Sequence, residues 1–223
     1  YAVTRSGTGA TTLRKYTPAV GDIPTPGWTV PAGSSVVAPL TLDGQARVIL
    51  CSLDGSVLRV TNQGASGSVS PLASLPAQAE ASPIVLSGGD IVVGLTGGAV
   101  HRLADNGTPL WASPPDVGDS ARGLAALSPG PDGADVVATT ALGEITALKP
   151  DGTPAWSGRP TTAALSFPAA VAAAPGGLPT AYAGSQDGKL YAIVVDGPPD
   201  AGAPWPKAHR DLANTANASS PLP

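Results

Sequence analysis

The chain has 223 residues, a net charge of −4 and only 13% charged residues. It is long enough to bury a sizeable core but lacks the concentrated basic face that nucleic-acid binding needs. Its longest apolar runs, such as RVILCSL (47–53) and DIVVGL (90–95), are strand-length, so no segment reads as a membrane-spanning helix and no membrane insertion is expected. The 28 glycines and 25 prolines would point to a low-complexity chain if they lacked order. Set among regular Val/Ile/Leu runs, they read instead as the turns of a β protein. No methionine occurs, even at position 1, which is the expectation for a chain freed of a secretory signal or cut as a domain from a longer product.

In chain order, YAVTRSGTGATTLRKYT (1–17) reads as two strands joined by a turn at Gly7 to Gly9, followed by Trp28. VVAPLTL (36–42), RVILCSL and SVLRV (56–60) form the next group, with an Asp54-Gly55 hairpin turn read as type I′. ASPIVL (81–86), DIVVGLT (90–96) and AVHRLA (99–104) follow, then ARGLAAL (121–127), DVVATTA (135–141) and EITAL (144–148). SFPAAVA (166–172), TAYAGSQ (180–186) and KLYAIVV (189–195) come last, before a tail ending in ASSPLP (218–223). Pro39, Pro83 and Pro168 mark the entry to an innermost strand, the place a sheet tolerates proline.

These groups are repeats. SLDGSVLRVTNQG (52–64), LTGGAVHRLADNG (95–107), TALGEITALKPDG (140–152) and SQDGKLYAIVVDG (185–197) align without gaps. Their first glycines are Gly55, Gly98, Gly143 and Gly188, and a second glycine follows each by nine residues. The steps between units are 43, 45 and 45 residues. GTPLW and GTPAW place Trp111 and Trp156 four residues past the second glycine, where each indole is expected to pack between neighbouring units. Four short strands in about 44 residues is the size of one propeller blade. The expected fold is all-β, a β-propeller of about five four-stranded blades over residues 1–33, 34–78, 79–118, 119–163 and 164–217. The opening unit lacks an innermost strand, and residues 218–223 are expected to supply it and close the ring.

YAGSQDGKLYAIVVDG (182–197) closely resembles the repeat of quinoprotein-like (PQQ-like) β-propellers, and SPGPDGADVVATTALG (128–143) is similar to FG-GAP or integrin-α repeats. PWPKAHRDLANTA (204–216) resembles a segment that flanks such repeats. The resemblance implies that Trp205 and Pro206 pack in the outer part of the last blade and that His209, Arg210 and Asp211 form a polar connector toward the closing strand. HRDL (209–212) superficially matches a kinase catalytic loop, but the residue five after Asp211 is Ala216 rather than the metal-binding Asn, and the other kinase motifs are missing.

Quinoprotein dehydrogenases of this repeat type hold a quinone and calcium, often beside a cysteine pair; this chain has Cys51 alone, which reads as a buried thiol. FG-GAP loops would imply calcium at Asp132, Asp135, Asp43 or Asp90, but these loops carry too few carboxylates and read as solvated turns. His101 reads as exposed on a strand, and two histidines with one cysteine give no zinc set. Asn106 and Asn217 head glycosylation sequons. The expectation is a non-enzymatic extracytoplasmic binding or scaffold module without cofactor or metal, recognising a protein partner through its loop faces or central funnel. A lectin-like propeller and, further off, a quinoprotein dehydrogenase relative are the alternatives. Trp28, Trp111, Trp156, Trp205, His209 and Arg210 are the candidate ligand-binding residues.

Overall fold

The structure is a computed structural model describing residues 1–5, 11–17, 25–36, 38–165, 169–172, 177–212 and 214–216. Among these residues it is all-β, with seventeen strands in five antiparallel sheets. The first sheet holds β1 (Ala2–Arg5), β2 (Thr11–Thr17) and β3 (Thr25–Pro31). The second holds β4 (Thr41–Leu42), β5 (Val48–Cys51), β6 (Ser56–Asn62) and β7 (Gly67–Ser74). The third holds β8 (Ile84–Val85), β9 (Ile91–Gly94) and β10 (Val100–Leu103). The fourth holds β11 (Ala121–Ala126), β12 (Val136–Thr140), β13 (Ile145–Leu148) and β14 (Pro154–Gly158). The fifth holds β15 (Ala170–Ala172), β16 (Thr180–Gly184) and β17 (Leu190–Val194).

Each sheet is an up-and-down meander, and in the second to fifth sheets the hairpin after β5, β9, β12 or β16 closes through a glycine turn. In the second sheet Ser52 N–H donates to Ser56 C=O (2.9 Å) and Gly55 N–H donates back to Ser52 C=O (3.1 Å). Gly55 has φ +82° while Asp54 stays at negative φ. The turn is therefore a type I turn closed by a left-handed glycine, rather than the expected type I′. The Asp54 carboxylate accepts Ser56 N–H (3.0 Å), which fixes the first part of the turn without left-handed backbone. Gly143 and Gly188 repeat the conformation in the fourth and fifth sheets, whereas in the third both Gly97 (φ +86°) and Gly98 (φ +96°) are left-handed. The register this sets pairs Val48 with Val60, Ile91 with Leu103, Val136 with Leu148 and Ala181 with Ile193.

Because side chains alternate across a strand, each sheet has two faces, and consecutive sheets bury theirs against each other. Leu13, Trp28 and Val30 of the first sheet pack on Val48, Leu50 and Val60 of the second. Ile49, Cys51 and Val57 of the second pack on Val85, Ile91, Val93 and Leu103 of the third. Val92 and Val100 meet Leu124, Val136, Ala138 and Leu148. Val137 and Ile145 meet Leu165, Val171, Ala181 and Ala183. Four apolar layers thus join five sheets in sequence order. Cys51 sits within one of them, and burial pushes its thiol up to about 12.

Among the described residues, the expectation of four strands per unit holds for the second and fourth sheets alone. In the third, the outer position is reduced to isolated bridges between Ala99 and Asp116 and between Leu103 and Pro109. The fifth has no outer strand among the described residues. The first shows no innermost strand among the described residues, and residues 218–223, expected to complete it, lie outside them, as does Pro168.

Candidate functional site

Pro39, Ser82, Arg122 and Ala170, in or beside the inner strands β4, β8, β11 and β15, line one channel together with Lys207, Ala208 and His209, so the chain itself runs into it. After β17, the segment from Pro198 leaves the fifth sheet. Ser128 N–H donates to Pro198 C=O (2.8 Å), and Asp200 N–H to Ala126 C=O (3.2 Å). Val85 N–H then donates to Trp205 C=O (2.9 Å), and Ala126 N–H to Pro206 C=O (2.7 Å). One segment therefore pairs with the inner edges of two different sheets, satisfying backbone groups that an open channel would leave to water. Trp205 is buried with Ile49, Val85, Ile91 and Leu103 between the second and third sheets. This corrects the expectation that Trp205 and Pro206 lie in the outer part of the last unit. In the sequence, Trp111 and Trp156 follow their second glycine by four residues, but Trp205 follows Gly197 by eight. That longer spacing is the signal that this tryptophan turns inward.

Beyond Trp205 the segment closes into a compact plug. Lys207, itself buried, donates from Nζ to Ala208 C=O (2.7 Å), Asp211 C=O (3.0 Å) and the Asn214 Oδ1 (2.7 Å). Burial lowers its pKa, and the Asp211 charge opposes that shift. Asp211 is held by Thr215, whose hydroxyl and backbone N–H both donate to its carboxylate and keep it below the usual range. His209 and Arg210 are consecutive non-glycine residues at φ +58° and +73°, a strained conformation that only a braced turn maintains. Arg210 is buried and donates from Nε to Pro204 C=O (3.2 Å). His209 is exposed. His209, Arg210 and Asp211 thus form a turn beside the channel, and the closing strand toward which they were expected to lead lies outside the described residues.

Two hollows flank the His209 side chain. One, of about 470 Å³, is lined by Pro39, Glu80, Ser82, Arg122, Lys207 and Leu212 among others, with Glu80 and Arg122 ion-paired at 2.7 Å. The other, of about 330 Å³, is bounded by Tyr1, Val3, Leu40, Leu42 and Trp205. One is rimmed by opposite charges and the other is mainly apolar.

The tryptophan candidates do different work. Trp28 is buried against Gly67 of the second sheet and donates to Asn62 Oδ1 (3.0 Å). Trp111 is buried against Gly152 and donates to Pro150 C=O (2.8 Å). Trp156 is half-buried on the layer between the fourth and fifth sheets. Trp28, Trp111 and Trp156 therefore fill the spaces between sheets, and the structure does not bring the four indoles together.

The calcium reading meets a different chemistry. Asp135 pairs with Arg102 (2.6 Å), which also holds Asp90 (2.8 Å), linking the third and fourth sheets. Asp43 pairs with Arg47 (2.6 Å), which together with Arg59 reaches Asp105 (2.5 and 2.7 Å), linking the second and third. Asp43 and Asp135 are buried rather than solvated. Arg59 and Arg102 stand at the same place in their repeats, four residues after the first glycine; that coincidence was the sequence signal for these clamps. His101 is half-buried rather than exposed, and burial lowers its pKa. Among the described residues no cluster of His, Cys, Asp and Glu has the arrangement of a metal site, and no helix is long and apolar enough to cross a membrane.

No protein-family model and no curated protein matches the sequence. The structure is similar to a computationally designed protein, Ika4 (TM-score 0.54, 16% identity, 73% of this chain and 92% of that one). It is also similar to BamB from Moraxella catarrhalis (TM-score 0.52, 17% identity, 93% of this chain and 69% of that one). A third likeness is to the WD40 β-propeller domain of Doa1 (TM-score 0.61, 13% identity), of which the chain spans 60% while 86% of its own length is matched. At these identities the likeness defines the fold, which is of the β-propeller type.

Proposed function

We propose that the protein is a non-catalytic binding module, a propeller of five blades working outside the cytoplasm, that engages a protein partner around His209. The observation that carries this reading is the plug. A strained His209-Arg210 turn, held by Lys207, Asp211 and Thr215, projects one exposed imidazole between a charged hollow and an apolar one. Strain retained at a braced, exposed position is a hallmark of recognition sites. A hollow with an apolar wall and an ion-paired rim matches the mixed chemistry of non-obligate protein interfaces. The likeness to BamB and to a WD40 domain supports the fold on which the reading rests. The extracytoplasmic setting rests on the resemblance of residues 182–197 to quinoprotein-like repeats.

A lectin-like role would need aromatic faces free to stack on a sugar ring, and Trp28, Trp111 and Trp205 are buried. The test is affinity capture with wild type beside His209→Ala and Arg122→Glu, with a glycan array run in parallel. A partner retained by wild type and lost by both variants supports the reading. Capture indifferent to both substitutions, or a saturable glycan hit, would overturn it.

A further inference from the structure

The fifth sheet ends differently from the others, and the difference is a vacancy of defined shape. In the first, second and fourth sheets the strand after the first-glycine turn is covered on its outer edge by a further strand, β3, β7 or β14. In the third, bridges at Asp116 and Pro109 do part of this. β17 has no such neighbour among the described residues, because the chain after Gly197 turns into the channel. Val195 N–H donates to Pro179 C=O and Ser185 N–H to Lys189 C=O, so by antiparallel alternation the amides of Leu190, Ala192 and Val194 point away from β16 to the open edge.

The same strand also carries an open face. Position two after the first glycine is Val57, Val100 and Ile145 in the second to fourth sheets, each at most 1% exposed under the following sheet. In the fifth it is Leu190, 68% exposed, on the same face as Val194 at 58% and as exposed Tyr182, the cross-strand partner of Ala192. An unpaired edge carrying an apolar face is a template for strand addition.

We infer that β17 accepts an extended peptide segment of a protein partner as the fourth strand of the fifth sheet. The residues that fill this position in the first and fourth units, and their counterpart in the third, define its chemistry; β7 of the second sheet lacks the motif. Strands β3 and β14 open with Thr25-Pro26-Gly27-Trp28 and with Pro154-Ala155-Trp156 after Thr153, and Thr108-Pro109-Leu110-Trp111 occupies the corresponding place in the third unit. The proline stands first in β14 and second in β3, at the strand start where a sheet tolerates it, and the indole lies over the face toward the following sheet. In the fourth sheet Trp156 pairs with Ala147. The repeat equivalent of Ala147 is Ala192, set between Leu190 and Val194. The occupant is therefore a short strand of Thr-Pro-x-aromatic character, its aromatic ring opposite Ala192. This deepens the reading of the protein as a binding module by naming a second contact surface and the form of ligand it takes.

The test uses the full chain and a labelled synthetic peptide, PDGTPAWSG, copying residues 150–158, with a scrambled control. The expected result is saturable binding by fluorescence anisotropy, weakened at least about tenfold by Ala192→Pro. That substitution removes an amide facing the open edge, so the sheet itself is expected to stand, with circular dichroism reporting the fold. Leu190→Lys, exposed and tolerated by the fold, is expected to weaken binding in the same way. No saturable binding up to about 1 mM, or binding indifferent to both substitutions, overturns the proposal. So does sedimentation showing a dimer that Leu190→Lys dissociates, since the occupant would then be a second copy. His209→Ala leaves peptide binding unchanged, so failure here is separable from failure of the reading centred on His209.

Discussion

Gly152 joins backbone and packing at a single residue. Its φ of +86° suits only glycine, and an added Cβ would stand 3.1 Å from the Trp111 ring. Gly64, its counterpart in the second unit, has φ +82° with open space around it. Both substitutions to alanine meet the left-handed penalty of about 1–2 kcal/mol. Gly152→Ala is expected to cost more than Gly64→Ala, and urea unfolding of the two variants measures the contribution of the indole contact. Arg102 acts differently, because burial already pushes the Asp135 carboxyl upward against the pull of Arg102. Arg102→Ala leaves that carboxylate buried and unpaired, a loss of about 3 kcal/mol near neutral pH. Its pKa then rises further. A group whose folded pKa exceeds its unfolded value loses stability as pH rises through the folded pKa, so the deficit of Arg102→Ala shrinks toward pH 4. Unfolding curves at pH 7 and pH 4 check this, and an equal deficit at both would contradict it.

At the scale of the element, the β16–β17 hairpin is stapled by a polar cluster. Tyr191 donates from its hydroxyl to Asp187 (2.6 Å), Thr161 donates to the same carboxylate (3.1 Å), and Lys189 N–H reaches its other oxygen (3.0 Å). The Tyr191 bond is the main reason that the Asp187 pKa falls to about 2. A depressed carboxyl contributes stability that is present above its unfolded pKa and is lost as pH falls toward the folded one. Tyr191→Phe is expected to return Asp187 toward the ordinary range and to flatten the pH dependence of stability between about pH 4 and pH 2. Carboxyl NMR titration reads the shift directly; an unmoved Asp187 would place the cause elsewhere.

Elements of this kind were legible from local patterns. The nine-residue glycine spacing announced the hairpins, and the prolines at 39 and 83 announced inner strands. The turn type was misread because Asp-Gly serves a type I turn with a left-handed glycine as readily as type I′, and the carboxylate of Asp54 decides between them.

Across the whole molecule, the sequence conveys repetition better than the places where repetition stops. Five sheets and their order follow from the period, since each unit must bury two faces and its sequence neighbours are at hand. The path of residues 198–216 did not follow, because a proline-rich segment with one tryptophan carries no periodicity and its partners lie far away in sequence. The same holds for the candidate site. His209 and Arg210 were visible as polar residues beside an unusual motif, but only long-range pairing to Val85 and Ala126 brings the segment inward and sets His209 between two hollows. One departure from the repeat has two consequences: turning inward after Gly197 seats Trp205 between the second and third sheets and leaves β17 without an outer strand among the described residues.

Residue-resolved amide hydrogen exchange tests that linked claim in one measurement. The inward path predicts that the amides of Val85 and Ala126, each bonded to the plug, exchange as slowly as those of β9 and β12, while Leu190, Ala192 and Val194 exchange rapidly at the open edge. Fast exchange at Val85 and Ala126, with protection along β17, would mean that the segment after Gly197 returns to the outer edge and that the channel is open.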